Sequence, residues 1–295
     1  MFRDDLLAGK RILITGGGTG LGKELADEFL RLGAEVHICG RRKNVLDGTA
    51  AELMGRHGGL LKGHVCDVRV AAAVDDMIGS IWSEHGPLSG LVNNAAGNIL
   101  SPTERLSTRA YDAVQGIVMD GSFYATHACG KRWIEAGLPG SVLSMLVTWV
   151  WNGSPYTVPS AMSKAAINIM TKSLAVEWAR HGIRLNALAP GSFPTKGAWE
   201  RLRPGTPTDG SAASDHAKIP MGRVGDMSEL RNIAAFLMAD GCDYLTGTCI
   251  AVDGGKHLAT GGNYADLSAR SDEEWEAVVA ASRAVNAKDR AQRSV

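Results

Sequence analysis

The sequence predicts an α/β fold: a doubly wound parallel sheet in a single domain, followed by a C-terminal helical tail. Three observations carry that prediction. Short apolar runs alternate with longer stretches of helical periodicity between residues 11 and 252. A glycine-rich turn stands between the first apolar run and the first helical stretch. No Pro/Ser-rich linker and no internal repeat divides residues 8–257. Parallel strands cannot be closed by tight hairpins, so each needs a helical crossover, and that need gives this order of elements.

The elements follow one by one. Residues 11–15 read as the first strand, which runs into Gly16-Gly-Gly-Thr-Gly-Leu-Gly22. Leu21, Leu25, Phe29 and Leu32 then recur at helical spacing until Gly33. Residues 34–39 are the second strand and 63–67 the third. Residues 72–85 are helical, with Val74, Met77, Ile78 and Ile81 on one face. A strand-like run at 88–93 ends in Asn93-Asn-Ala-Ala-Gly97. A long helix is predicted over 111–135, a strand over 140–147, a helix over 160–181 and a strand over 183–189. A helix at 227–239 and a strand at 248–252 precede Asp253-Gly-Gly255. Residues 194–219, rich in Pro, Gly, Ser and Thr, break the alternation. An insertion after a strand's carboxyl end reads either as a lid over the ligand or as a plain surface loop. The extension 258–295 holds a capping box, Ser271 with Glu274, and a helical stripe of Trp275, Val278, Val279, Ser282 and Val285. That stripe is expected to pack on the body or on a second subunit.

Composition narrows the function classes. The 295 residues carry 31 basic and 31 acidic side chains, for a formal charge of zero. That balance removes the simple electrostatic case for nucleic acid or an anionic membrane surface. A 45% apolar content is ample for a core and argues against disorder. Cys39, Cys66, Cys129, Cys242 and Cys249 are odd in number and lack CxxC spacing. They argue against a disulfide framework or a zinc ribbon and suit a reducing, cytoplasmic setting. No apolar run is long enough to span a bilayer, and the amino terminus lacks a signal peptide's pattern. His37, His64, His127 and the other histidines show no metal spacing, so no metal is expected.

The glycine turn points to a dinucleotide. A pyrophosphate needs the backbone close by, and the following helix offers free N–H groups and the positive end of its dipole. Gly16, Gly18, Thr19, Gly20 and Leu21 are therefore candidate cofactor contacts. An acid at the end of the second strand would bind the ribose of NAD. Gly40 stands there instead, followed by Arg41, Arg42 and Lys43. No carboxylate repels a 2′-phosphate, and guanidinium groups bind one bidentately, so NADPH is expected over NADH.

The spacing Gly-x-x-x-Gly-x-Gly after Thr15 resembles that of the short-chain dehydrogenase/reductase family, whose fold is Rossmann-like. Several further motifs resemble that family in order. Asp67, with Val68, matches the aspartate that meets the adenine. Asn93-Asn94-Ala95-Ala-Gly97 matches the element that lines the cofactor and stabilises the sheet. Pro190-Gly191, with Phe193 beyond it, matches the turn over the nicotinamide, and Asp253-Gly-Gly255 matches the carboxyl-terminal signature. The resemblance covers about residues 8–257.

The family's catalytic pattern is incomplete. Most members carry Tyr-x-x-x-Lys, and the matching stretch here is Ser160-Ala-Met-Ser-Lys164. The usual upstream serine falls on Val147, and the usual asparagine of the preceding helix falls on Val118. One branch, the 2,4-dienoyl-CoA reductases of mitochondrial type, is much more similar. It has Ser-x-x-x-Lys here, and 93–107, 158–161, 172–178 and 194–198 nearly match it. Its chemistry explains the missing tyrosine. Hydride from NADPH goes to the δ-carbon of a dienoyl thioester, and the resulting enolate needs hydrogen-bond donors as an oxyanion does. The resemblance implies that Asn98 donates to the thioester oxygen, Lys164 holds the nicotinamide ribose and Ser160 supports the site. Ile99, Ser107, Arg69 and Arg201 match acyl-chain or CoA contacts. The branch's acid, a tyrosine, is Trp149 here, and an indole N–H donates a hydrogen bond without giving up its proton. Two accounts stand open: Trp149 holds the enolate while water delivers the proton, or Tyr156 reaches the site. The expected function is NADPH-dependent reduction of a dienoyl or enoyl thioester in fatty-acid β-oxidation, by a homo-oligomer, dimer or tetramer. The alternatives are a carbonyl or alcohol dehydrogenase using Tyr156, and a non-catalytic NADP(H)-binding protein.

Overall fold

A computed structural model describes residues 2–195, 217–259, 271–274, 276, 277 and 280. Seven parallel strands form one sheet: β1 Arg11–Thr15, β2 Glu35–Gly40, β3 Leu61–Val65, β4 Gly90–Asn93, β5 Gly140–Met145, β6 Ile183–Pro190 and β7 Cys249–Val252. Their order is β3-β2-β1-β4-β5-β6-β7, with Leu13 opposite His37 on one side and Leu91 on the other. The order reverses between β1 and β4, so a crevice opens at the carboxyl ends of those two strands.

Both faces of the sheet are covered, which is why its strands are apolar on successive residues rather than on alternate ones. Ile12 and Ile14 of β1 and Val36 and Ile38 of β2 pack under α1 (Gly20–Arg31), α2 (Lys43–His57) and α8 (Met227–Met238), through Leu25, Phe29, Leu46, Leu53 and Leu230. Leu13 and Cys39 turn to the other face, against Val74, Ile78 and Ile81 of α3 (Ala71–His85) and Ala125, Cys129 and Trp133 of α5 (Gly121–Ala136). The Trp133 indole donates to the Leu88 carbonyl at 2.5 Å, so its one polar atom is satisfied inside that core.

Three elements differ from the sequence expectation. α2 was not predicted: Gly48 and Gly55 interrupt its apolar period, yet Leu46, Thr49, Ala50 and Leu53 bury one side. The predicted long helix is α4 (Thr108–Gln115) and α5 joined by a π-turn, Gly116–Asp120. A π-turn is rare and recurs at functional sites. Between β5 and α7 (Val158–Trp178) lies a single helical turn, α6 (Trp149–Asn152), that the sequence did not announce. The chain divides at Leu258 into two compact units. In the second, the Ser271 amide donates to Glu274 at 2.8 Å and the Glu274 amide to Ser271 Oγ at 3.3 Å, the expected capping box. Trp275, Val278, Val279, Ser282 and Val285 lie outside the described residues, as do 196–216 of the expected lid. Among the described residues, no helix is long and apolar enough to cross a membrane.

The histidines are dispersed in sequence and meet in space. Glu35 Oε1 lies 3.0 Å from His37 Nε2 and 3.3 Å from His85 Nδ1, and His37 Nδ1 lies 2.9 Å from His64 Nε2. Lys62 Nζ reaches His85 Nε2 at 3.1 Å, and Arg11 pairs with Glu35 Oε2 at 2.7 Å. Three potential metal ligands thus gather without any spacing signal. A protein cation stands on each side of them, and every one of these ring nitrogens already has a partner. Burial pushes both His37 and His64 down to about 4, so these two rings are neutral imidazoles near pH 7.

Candidate active site

The crevice at the sheet's reversal is braced by two side chains. Thr15 Oγ1 accepts from the Asn94 and Ala95 amides at 3.0 Å each and donates to the Val92 carbonyl at 3.3 Å. Asn94 Nδ2 donates to the Thr15 carbonyl at 2.9 Å and to the Gly16 carbonyl at 3.3 Å. Gly16 has φ +68°, which a side chain would strain. A Cβ at Gly22 would lie 2.6 Å from the Gly16 carbonyl and against Asn94 Nδ2, so only glycine fits there. Thr19 precedes α1 without a side-chain cap, and Gly20 opens the helix. The first amides of α1 are therefore left for an anion. Gly18, Thr19 and Leu21 belong to the same turn, and this cradle fits a diphosphate.

Basic residues flank the turn where expected. Arg41 and Arg42 are exposed and their side chains have no hydrogen-bond partner among the described residues, whereas Lys43 Nζ pairs with Asp47 at 2.6 Å. Gly40 leaves room beside them; a Cβ there would meet only Leu46, at 3.7 Å. The Arg69 guanidinium grips Asp67 through Nε at 2.9 Å and Nη2 at 2.6 Å, and this bond holds the Asp67 carboxyl below its usual range. Arg69, expected to meet CoA, thus has an internal partner. Val68 is buried against Gly121.

Lys164 and Ser160 are buried on α7. Lys164 Nζ donates to the Met145 carbonyl at the end of β5, and burial pushes its ammonium down to about 8. Val118, in the place of the family's asparagine, is buried in the π-turn. Asn98 is half-buried, and its Oδ1 accepts the Ile99 amide at 2.9 Å. Only an oxygen can accept there, so Nδ2 is left free to donate. Ile99 packs on an apolar cluster with Val114, Val118, Leu146 and Ile167. Ser107 caps α4 through the Ala110 amide at 3.2 Å. Pro190 ends β6, the Gly191 amide donates to the Val252 carbonyl at 2.9 Å, and Phe193 is buried against Gly225. Gly97 is half-buried beside Ile117. Trp149 is half-buried at the start of α6. Tyr156 is exposed, with φ +64° and its carbonyl accepting the Ser101 amide at 2.9 Å. Arg201 lies outside the described residues.

Sequence reasoning missed one group. His257 Nδ1 lies 2.8 Å from Asp253 Oδ2, and its ring stacks on Trp151 with centroids 4.7 Å apart. The signal available was the four-residue interval from Asp253 to His257, one helical turn, which brings the two side chains together.

Comparison with known proteins agrees with this geometry. A family profile described as enoyl-(acyl carrier protein) reductase matches residues 16–257. A Caenorhabditis elegans protein named probable 2,4-dienoyl-CoA reductase 3, (3E)-enoyl-CoA-producing, is 41% identical over 269 residues, 90% of this chain and 87% of that one. A Bacillus subtilis (strain 168) protein named probable 2,4-dienoyl-CoA reductase, (2E)-enoyl-CoA-producing, is 37% identical over 250 residues, 84% of this chain and 97% of that one. The crystal structure of a short chain dehydrogenase from Bacillus anthracis superposes with a TM-score of 0.76 at 39% identity, covering 84% of this chain and 96% of that one. A gluconate 5-dehydrogenase from Burkholderia cenocepacia, solved with NADP and tartrate, gives 0.79 at 29% identity, covering 86% and 98%.

Proposed function

Because this chain belongs to the short-chain dehydrogenase/reductase family and is an oxidoreductase acting on CH–CH bonds, we propose that it reduces 2,4-dienoyl-CoA thioesters with NADPH in fatty-acid β-oxidation. The observation that carries this reading is the Asn98 amide, whose oxygen is occupied by the Ile99 amide and whose NH₂ is therefore presented as a donor. A donor of that kind suits a thioester oxygen that gains negative charge.

The residues divide the work. The amides of the Gly16–Leu21 turn bind the diphosphate, and Arg41 and Arg42 bind the 2′-phosphate. Asp67 and Val68 meet the adenine. Lys164 donates to the nicotinamide ribose, and Asn94, Ala95, Gly97, Pro190, Gly191 and Phe193 line the nicotinamide side. Bound NADPH supplies a hydride to the δ-carbon of the dienoyl chain. Asn98 then holds the anionic thioester oxygen, with Ser160 behind it and Trp149 able to add an indole N–H. Ile99 and Ser107 are the candidates for the acyl chain, and Arg69 is a candidate for the CoA phosphates through the guanidinium edge that Asp67 leaves free, with Arg201, outside the described residues, as the second. Met162, Ile169 and Val176 are exposed at seven-residue intervals along α7, an apolar stripe that supports a homo-oligomer. The five unpaired cysteines support a reducing, cytoplasmic location.

The test follows NADPH oxidation with 2,4-hexadienoyl-CoA, crotonyl-CoA and acetoacetyl-CoA in parallel. Turnover of the dienoyl thioester is expected. Activity with acetoacetyl-CoA alone makes the protein a carbonyl reductase, and none with any makes it a nucleotide-binding protein.

A further inference from the structure

The enolate left by hydride transfer must be protonated on carbon, and the indole of Trp149 does not surrender a proton near neutral pH. A group with the right chemistry lies against Trp151, two residues along the same helical turn. The His257 imidazole stacks on Trp151 with centroids 4.7 Å apart and 29° between the planes. Asp253 orients it from behind: Asp253 Oδ2 accepts from the His257 backbone amide at 2.7 Å and from His257 Nδ1 at 2.8 Å. Asp253 Oδ1 accepts from the Gly255 amide at 3.0 Å. The carboxylate is 3% exposed and the imidazole 17%. A buried carboxylate accepting from Nδ1 orients the ring and leaves Nε2 as the nitrogen from which a proton can be delivered. Nε2 has no partner among the described residues.

Its place in the fold is the reacting end of the sheet. Trp151 belongs to α6, which follows β5, and Lys164 Nζ bonds the last carbonyl of β5. Asp253 follows β7 and packs on the Pro190-Gly191 turn; a Cβ at Gly191 would lie 2.7 Å from Asp253 Cα. The imidazole is therefore held between the carboxyl ends of β5, β6 and β7, where a doubly wound sheet binds its ligands.

We propose that His257 is the proton donor of the reduction, with Asp253 as its positioning residue. The proposal rests on the dienoyl-CoA reading above. Hydride reduces the δ-carbon and leaves a dienolate on the substrate. The His257 Nε2–H bond breaks and a C–H bond forms at the α- or γ-carbon. The dienolate's electron pair takes the proton as the thioester C=O re-forms, and the neutral imidazole regains a proton from water. One fixed donor delivers to one carbon, so the product carries its double bond in a single position. A dienolate left to water has both carbons open to a proton, with no residue to choose between them.

The test uses the full chain with NADPH and 2,4-hexadienoyl-CoA. His257→Phe keeps a ring on Trp151 and removes the acid, and His257→Ala opens a space for added imidazole. Both variants are expected to lose about 10²–10⁴-fold in kcat, the usual worth of a positioned acid, with KM changed little. Both should yield a mixture of double-bond positions. Added imidazole should restore turnover to His257→Ala, and pyrrole, a ring of like size with no such acid, should not. Asp253→Asn should lower kcat less than either. A wild type that turns over, with His257→Phe keeping its rate and its single product, overturns this proposal alone. A wild type that oxidises no NADPH with the dienoyl thioester overturns the function reading and this proposal with it.

Discussion

Replacing Arg41 and Arg42 by alanine tests the cofactor assignment most directly. Both guanidinium groups are exposed and make no hydrogen bond among the described residues, so their removal strands no buried charge and should change stability little. The whole loss then falls on binding. A hydrogen bond to a charged group is worth about 1.5–3 kcal/mol, and exposure to solvent favours the lower end. About 1.5 kcal/mol for each arginine is roughly tenfold in affinity, and about a hundredfold for both if the two act independently. Lys43 is the internal control: its ammonium already pairs with Asp47 at 2.6 Å, so Lys43→Ala should weaken NADPH by less than about threefold. NADH affinity should not move in any of these variants. Gly40→Asp extends the series, since a Cβ there meets Leu46 at an ordinary 3.7 Å and its carboxylate would repel a 2′-phosphate. The assay is fluorescence titration of both nucleotides at matched ionic strength, because phosphate contacts weaken with salt. Equal wild-type affinity for NADPH and NADH, or an unchanged preference in the double variant, refutes the reasoning.

Further outcomes follow from other contacts. Asn98→Asp keeps an acceptor for the Ile99 amide and removes the free NH₂; kcat with the dienoyl thioester should fall about 10²–10³-fold, with the melting temperature little changed. Gly22→Ala forces a methyl against the Gly16 carbonyl and Asn94, and should cost about 1–3 kcal/mol in urea unfolding and weaken NADPH binding in titration. His37 and His64 have folded values of about 4 against an ordinary 6.5, so the unfolded chain binds protons that the folded chain refuses. Stability should therefore fall as pH drops from about 6.5 towards 4, by about 1.4 kcal/mol per pH unit for each histidine that titrates, and a flat urea-midpoint profile over that window contradicts it.

The parts of the site that rest on backbone constraint were legible in the sequence. The glycine turn had to be glycine, because Gly16 adopts a positive φ and Gly22 touches a carbonyl, and such demands leave a spacing that can be read. Strand alternation was legible because both faces of the sheet bury apolar side chains. The rest depends on partners far apart in the chain. Nothing near Arg69 announces that Asp67 will hold it, since a surface arginine reads the same with or without a partner. Trp151 and His257 are 106 positions apart and meet only once β5 and β7 are placed. The helix α2 hid behind Gly48 and Gly55, where a Cβ would meet only open space, so no packing demand explains them and the burial of Leu46 and Leu53 carries the helix instead.

The brace between Thr15 and Asn94 ties the first half of the sheet to the second at the point where the strand order reverses. Its consequence is kinetic. Fixing a backbone residue costs about 1–2 kcal/mol of conformational entropy, and for the nucleotide loop that cost is met during folding rather than at binding. The nucleotide therefore docks on a ready surface, at a rate set by diffusion and by the pull of Arg41 and Arg42 on its phosphates. Amide exchange at Gly16 and Asn94 should be slow in the free protein and change little on saturation, so occupancy of the cleft is not signalled through this loop.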